Sequence, residues 1–151
     1  MSNTATISNH IQTERIIMSR LLWVGPLTVS AAVVANLIVR FIALSLLDIP
    51  LRFSPLAHPG PVITLTTVGV TGSVIVFAIV SKFAKHPIRL FRIIAIVVLL
   101  ISFLPDLAML TIPGISVLAV VVLMLMHVVA AAISVGLLIN LLRKRSTALD
   151  S

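Results

Sequence analysis

The sequence predicts an all-α protein, a transmembrane four-helix bundle running up-down-up-down with both termini cytoplasmic. Three observations carry the prediction. The chain has more apolar residues than a soluble core can hold, it contains four apolar runs of membrane-spanning length, and its basic residues gather on one side of those runs. Of the 151 residues, 60% are hydrophobic and 10% charged, and the mean hydropathy is +1.25. A soluble domain keeps about a quarter of its residues charged and roughly half apolar. Lipid is the solvent that accommodates the excess.

The formal charge of +7 raises nucleic acid as a partner. The basic residues, however, sit at the ends of apolar runs and form no continuous patch. They read as topology signals and as contacts to anionic lipids at the cytoplasmic face, with no nucleic acid implied. Cysteine is absent, which excludes disulfides, thiolate catalysis and Cys-based metal sites. Tyrosine is absent too and Trp23 is the single tryptophan, so the aromatic belt is thin.

Residues 1–20 form a polar cytoplasmic tail. Asn9 followed by Gln12 has the form of a capping box, and Ile11, Arg15, Ile16 and Ile17 surround it. An interfacial helix leading into the first span and a frayed tail are both compatible with that pattern. The membrane domain covers residues 21–142, with spans at about 21–47, 62–81, 88–110 and 115–142. Each reaches the ~20 residues that cross about 30 Å of hydrocarbon. The first and last exceed it, which predicts tilt or extension beyond the hydrocarbon. The first run is twice the length of a signal-peptide core and ends in no small-x-small cleavage site, so it reads as a retained span.

Pro50, Pro55, Pro59 and Gly60 are expected to keep the first connection free of regular helix. Ala84–Pro87 turns the second span into the third, and Pro113-Gly114 turns the third into the fourth. Such short connections predict antiparallel neighbours. A basic cytoplasmic tail, residues 143–151, closes the sequence. Of the eleven Lys and Arg, all but Arg40 and Arg52 fall on the side of the termini and the second connection. By the positive-inside rule that side is cytoplasmic, which suggests a multi-pass protein of the cell inner (plasma) membrane.

Two charges fall within spans, Arg40 and Asp106. Counted from the outer ends of their runs, both lie roughly 6–10 Å deep, which predicts an ion pair between the first and third helices. Pro105 offers a competing reading. The third span stops near Phe103, Asp106 becomes wet and Arg40 snorkels outward. A deeper layer contains Asn36, Thr71, Ser102 and His127, one group from each helix. His127 is expected as a neutral imidazole bonded to Asn36 or Ser102, holding the bundle together. Proton shuttling, haem or metal coordination are its functional alternatives. A lone His is a poor metal site, so no cofactor and no metal is implied.

Thr64, Thr67 and Thr71 on the second helix, and Ala132 and Gly136 on the fourth, are spaced for close helix packing. No phosphate loop, Ser/His/Asp set, paired carboxylates or HExxH is present, and no broken half-helices repeat. His10, His58 and His86 fall in the tail and loops, and only His58, beside Pro59-Gly60, suggests a sensor of external pH.

Three segments carry a family resemblance. They are Pro87, Arg89 and Phe91 at the start of the third span, Ser102-Phe103-Leu104-Pro105-Asp106, and Leu125-Met126-His127-Val128-Val129-Ala130. Together, over about residues 20–142, the chain resembles an uncharacterised family of small bacterial four-span membrane proteins, a domain of unknown function. The resemblance implies the fold and no activity, ligand or catalytic residue.

Three functions remain open on the sequence. The favoured one is a structural or accessory subunit, packed against itself as a homo-oligomer or against a larger membrane complex. The second is a proton-coupled carrier using Asp106 and His127. The third is a lipid- or quinone-binding enzyme subunit that holds an anionic head group on Arg40. Catalysis has the least support, because acid–base chemistry wants two tuned groups within hydrogen-bond reach.

Overall fold

Proline decides where two of the helices begin. At the first helical position its missing N–H is one the helix would leave unpaired anyway, and its fixed φ suits the turn. The computed structural model, which describes residues 18–47 and 56–142, uses this twice. Helix α2 (Pro59–Phe83) starts on Pro59 behind an extended His58, and α3 (Pro87–Ala108) starts on Pro87 behind His86. Pro59 and Gly60, expected to break helix, therefore open one, and the second span is longer at its first end than the apolar run alone suggested. Helix α1 (Leu21–Leu46) follows a 3-10 turn, Met18–Arg20, and α4 (Val117–Leu142) completes the set. The Asn9/Gln12 capping box, Pro50, Pro55, Arg52 and the basic tail at 143–151 lie outside the described residues.

Pro105 does not end the third span. Helix α3 continues through it to Ala108 and tightens into a 3-10 turn, Met109–Thr111. The Ile115 N–H then donates to the Ile112 carbonyl at 3.3 Å, with Pro113 and Gly114 between them. Gly114 has φ +89°, the left-handed value that the third residue of a type II turn requires and that favours glycine. Ser116 caps α4 by accepting the Leu118 N–H at 3.2 Å, which moves the start of this span from the expected Ile115 to Val117.

The helices alternate in direction and form a square. Helix α1 packs on α2 and α4, α3 packs on α2 and α4, and α2 meets α4 across the short diagonal. Helix α4 thus touches all three others. Each of the four is long and apolar enough to cross a membrane. The lateral surface agrees with lipid as solvent, since Leu22, Trp23, Phe41, Leu46 and Phe83 are each at least 70% exposed. A soluble protein would not leave so many large side chains open to water.

Two apolar clusters close the ends of the bundle. At the end carrying Arg20, Lys82, Lys85, Arg89 and Arg92, Phe77 and Phe91 meet edge to face at 4.8 Å, surrounded by Val24, Val80, Leu138 and Leu142. At the other end Ala43, Leu56, Val62, Val122, Leu123 and Met126 pack together. Between them the buried stripe of α1 recurs every fourth residue, Val24, Thr28, Ala32 and Asn36, as a helix with one face turned inward must.

Close helix approach occurs at a residue the sequence did not single out. A Cβ on Gly25 of α1 would lie 3.3 Å from Val74 Cγ1 of α2, whereas one on Gly69, Gly72 or Gly136 would meet nothing within 4 Å. Thr64, Thr71 and Ala132 are exposed. Thr64 and Thr71 of α2 and Ala132 of α4 therefore lie away from the tight contacts.

Phe77 is fully buried, and the helices stay inserted in lipid when they separate, so packing carries the cost of truncating it. Phe77→Ala is expected to lower stability by about 3 kcal/mol, read as an earlier midpoint in a detergent or thermal unfolding titration.

Candidate functional site

Asp106 and His127 meet. Asp106 lies on the last full turn of α3 and is 6% exposed, and its Oδ2 sits 3.1 Å from His127 Nδ1 on α4. The same Nδ1 is 2.9 Å from the carbonyl of Leu123, one turn back on α4. The carbonyl can only accept, so the tautomer that makes this bond carries its proton on Nδ1. The contact with Oδ2 is short without hydrogen-bond alignment, and Oδ2 is enclosed with no hydrogen-bond partner. The Nδ1–H thus serves the Leu123 carbonyl, with the carboxyl oxygen beside it. Phe103 stands edge-on to the imidazole at 6.5 Å. The His127 side chain is 38% exposed, and its Nε2 has no hydrogen-bond partner among the described residues.

Arg40 does not pair with Asp106. Its Nε donates to the Leu56 carbonyl at 2.9 Å and its Nη2 to the Ala57 carbonyl at 3.1 Å. The reason is the square arrangement. Counting residues along each helix put both groups at one depth, but α1 and α3 occupy the far diagonal, with α2 and α4 between them. Arg40 instead ties the end of α1 to the backbone leading into α2, where carbonyls outside the helix ladder need donors. The wet Asp106 of the alternative reading is not found either, because the continuous α3 keeps it buried.

Asn36 bonds neither His127 nor Ser102. Its Nδ2 donates to Thr66 Oγ1 on α2 at 2.9 Å, and its Oδ1 is buried without a partner. Ser102 turns back on its own helix, its hydroxyl donating to the Leu99 carbonyl at 2.7 Å. Thr71 is exposed on the wall of a groove between α1 and α2, together with Ser30, Pro26 and Val74. The expected four-helix polar layer is therefore two separate pairs, Asn36–Thr66 joining α1 to α2 and Asp106–His127 joining α3 to α4. Thr66 was missed although a signal for it existed. Val62, Thr66, Val70 and Phe77 form the buried stripe of α2, and Thr66 is its one polar member. Among the described residues no three His, Cys, Asp or Glu gather as a metal site.

Four apolar helices tied in pairs by side chains within their spans, with a lipid-exposed lateral surface, define a small multi-pass integral membrane protein. The chain belongs to a family of unknown function (DUF6069), whose model matches residues 17–145. That agrees with the resemblance read from the third and fourth spans. No curated protein and no solved structure matches the sequence.

Removing one partner of a buried hydrogen bond costs more than removing both. Thr66→Val is expected to destabilise the bundle by about 1–3 kcal/mol, because it strands the Asn36 amide. The double variant Asn36→Leu/Thr66→Val should recover most of the loss, as checked by unfolding midpoints of the single and double variants.

Proposed function

We propose that the protein is a structural or accessory subunit of a membrane assembly, docked through the face formed by α3 and α4. The observation behind this reading is His127. Its imidazole lies about 15 Å along α4 from Val117, near the middle of the span. It is 38% exposed there, and Nε2 has no partner among the described residues. A polar nitrogen open to hydrocarbon is costly, and a hydrogen bond from a neighbouring helix relieves it. Helix α3 beside it is thinly covered, with no fully buried residue between Phe91 and Asp106. A covering subunit would bury this face and give Nε2 a partner.

Native mass spectrometry of the protein extracted gently from its membrane tests this. The expected result is a species heavier than the 16.2 kDa chain, reduced to the single chain by His127→Leu with helix content unchanged. A wild-type protein that is already a single chain overturns the assembly reading.

One observation favours a second reading, a proton-coupled carrier. The enclosed, unpartnered Asp106 Oδ2 lies behind an imidazole whose far nitrogen is open. Taking up a proton at Nε2, then turning the Nδ1–H from the Leu123 carbonyl to Oδ2 and passing its proton there, would relay it inward. Proton flux in liposomes, abolished by Asp106→Asn in a folded protein, supports this reading, and absence of flux from the wild type removes it.

The same proposal places the chain in a bacterial plasma membrane with both termini cytoplasmic, on the charge asymmetry. A cysteine at Ser151 should then be shielded from an impermeant thiol reagent in intact cells and one at His58 labelled. The reverse pattern refutes the orientation.

A further inference from the structure

The turn from α2 to α3 forms a concavity of about 360 Å³, lined by Ala84, Lys85, His86, Arg89, Leu90 and Ile93. The geometry points to a defined site for one anionic phospholipid, with Lys85 and Arg89 holding the phosphate and an acyl chain lying along Leu90 and Ile93. It does not rest on the assembly or carrier readings.

Charge is the first ground. Lys85, His86 and Arg89 are all exposed, and no ion pair involves them among the described residues. Of the chain's four carboxylates, Asp106 alone lies within the described residues, about 25 Å along α3 from Arg89. Among the described residues the cations therefore have no counter-charge beside them. A guanidinium offers a phosphate two parallel donors and a lysine adds a point charge.

The order of the lining residues is the second ground. Arg89 is the third residue of α3, while Ile93 lies one turn further into the span. The lining surface is almost wholly apolar, and the residue types that frame it pass along the chain from cationic to apolar in the direction that leads from the membrane surface into hydrocarbon. The apolar track continues beyond it on Ile96, Val97 and Leu100, each about half exposed. A phospholipid has the same order, phosphate first and chain below. A soluble phosphate would use the cations and leave the strip at Leu90 and Ile93 unmatched.

General surface charge is the competing explanation, because basic residues beside a span attract anionic lipid wherever they stand. Lys82 and Arg92 supply the comparison. Both are exposed at the same end of the bundle, and neither lines the concavity. The full chain in uncharged detergent is mixed with equal concentrations of phosphatidylglycerol and phosphatidylcholine, and bound lipid is counted by native mass spectrometry. The expected result is one phosphatidylglycerol held under conditions that strip phosphatidylcholine. Lys85→Gln/Arg89→Gln should reduce that occupancy about tenfold or more, and Lys82→Gln/Arg92→Gln should leave it within about twofold. All four side chains are exposed, so equal unfolding midpoints are expected and serve as the control for folding. Equal loss in both double variants overturns the site in favour of diffuse charge. Retention of phosphatidylcholine to the same extent, or displacement by soluble glycerol phosphate at the lipid's own concentration, also overturns it.

Discussion

Hydrocarbon offers no hydrogen-bond partner, so every backbone N–H and C=O within a span must be satisfied by the chain itself. Much of the structure follows from that constraint. The helices are unbroken for 22 to 26 residues, and two of them begin on proline, where no ladder donor is lost. Polar side chains obey the same rule. Thr28, Ser73, Ser102, Thr111 and Ser134 each donate to a carbonyl three or four residues back on their own helix, and the His127 imidazole does likewise to Leu123. A hydroxyl spent in this way holds no other helix. Among the described residues, what remains to join helices through side-chain polar groups is therefore Asn36 with Thr66 and Asp106 beside His127.

With so few polar ties, packing decides the arrangement. Helix α4 touches the other three and carries buried residues along nearly its whole length, from Ala119 to Leu142. Helix α3 is anchored at its two ends, by Ile88 and Phe91 at one and Asp106 at the other, and faces outward between them. Gly25 lets α1 approach Val74 of α2, and Arg40 clamps the other end of α1 to the carbonyls that precede α2. One half of the bundle is thus closed by the Val74 side chain against Gly25 and by a cationic tie, while the other half presents a loosely covered helix and a half-open imidazole. That asymmetry, with the charge at the α2–α3 turn, concentrates the exposed chemistry on α3 and its neighbours.

Much of the fold was legible in the sequence. The spans followed from hydropathy, because lipid leaves a long apolar run few alternatives to helix. Their antiparallel order followed from short connections. Boundaries moved where local backbone chemistry outweighed hydropathy, at Pro59, which starts a helix instead of preventing one, and at Ser116, whose hydroxyl fixes the start of α4. Asp106 and His127 were both recognisable as residues too costly to bury without a reason. Their partners were not, since counting along a helix gives depth and says nothing of azimuth. Arg40 and Asp106 lie on opposite corners of the square, and Thr66 faces inward while Thr64 and Thr71, close by on the same helix, do not.

The sequence by itself determined the solvent, the number of spans and their alternating direction, because each depends on residue types averaged over twenty or more positions. The tertiary structure alone decided which helices are neighbours, and that Asp106 meets His127 while Arg40 turns to Leu56 and Ala57. Those outcomes depend on the rotation and pairing of helices. Lipid is as apolar as the side chains it covers, so it gives hydropathy no gradient from which rotation and pairing could be read.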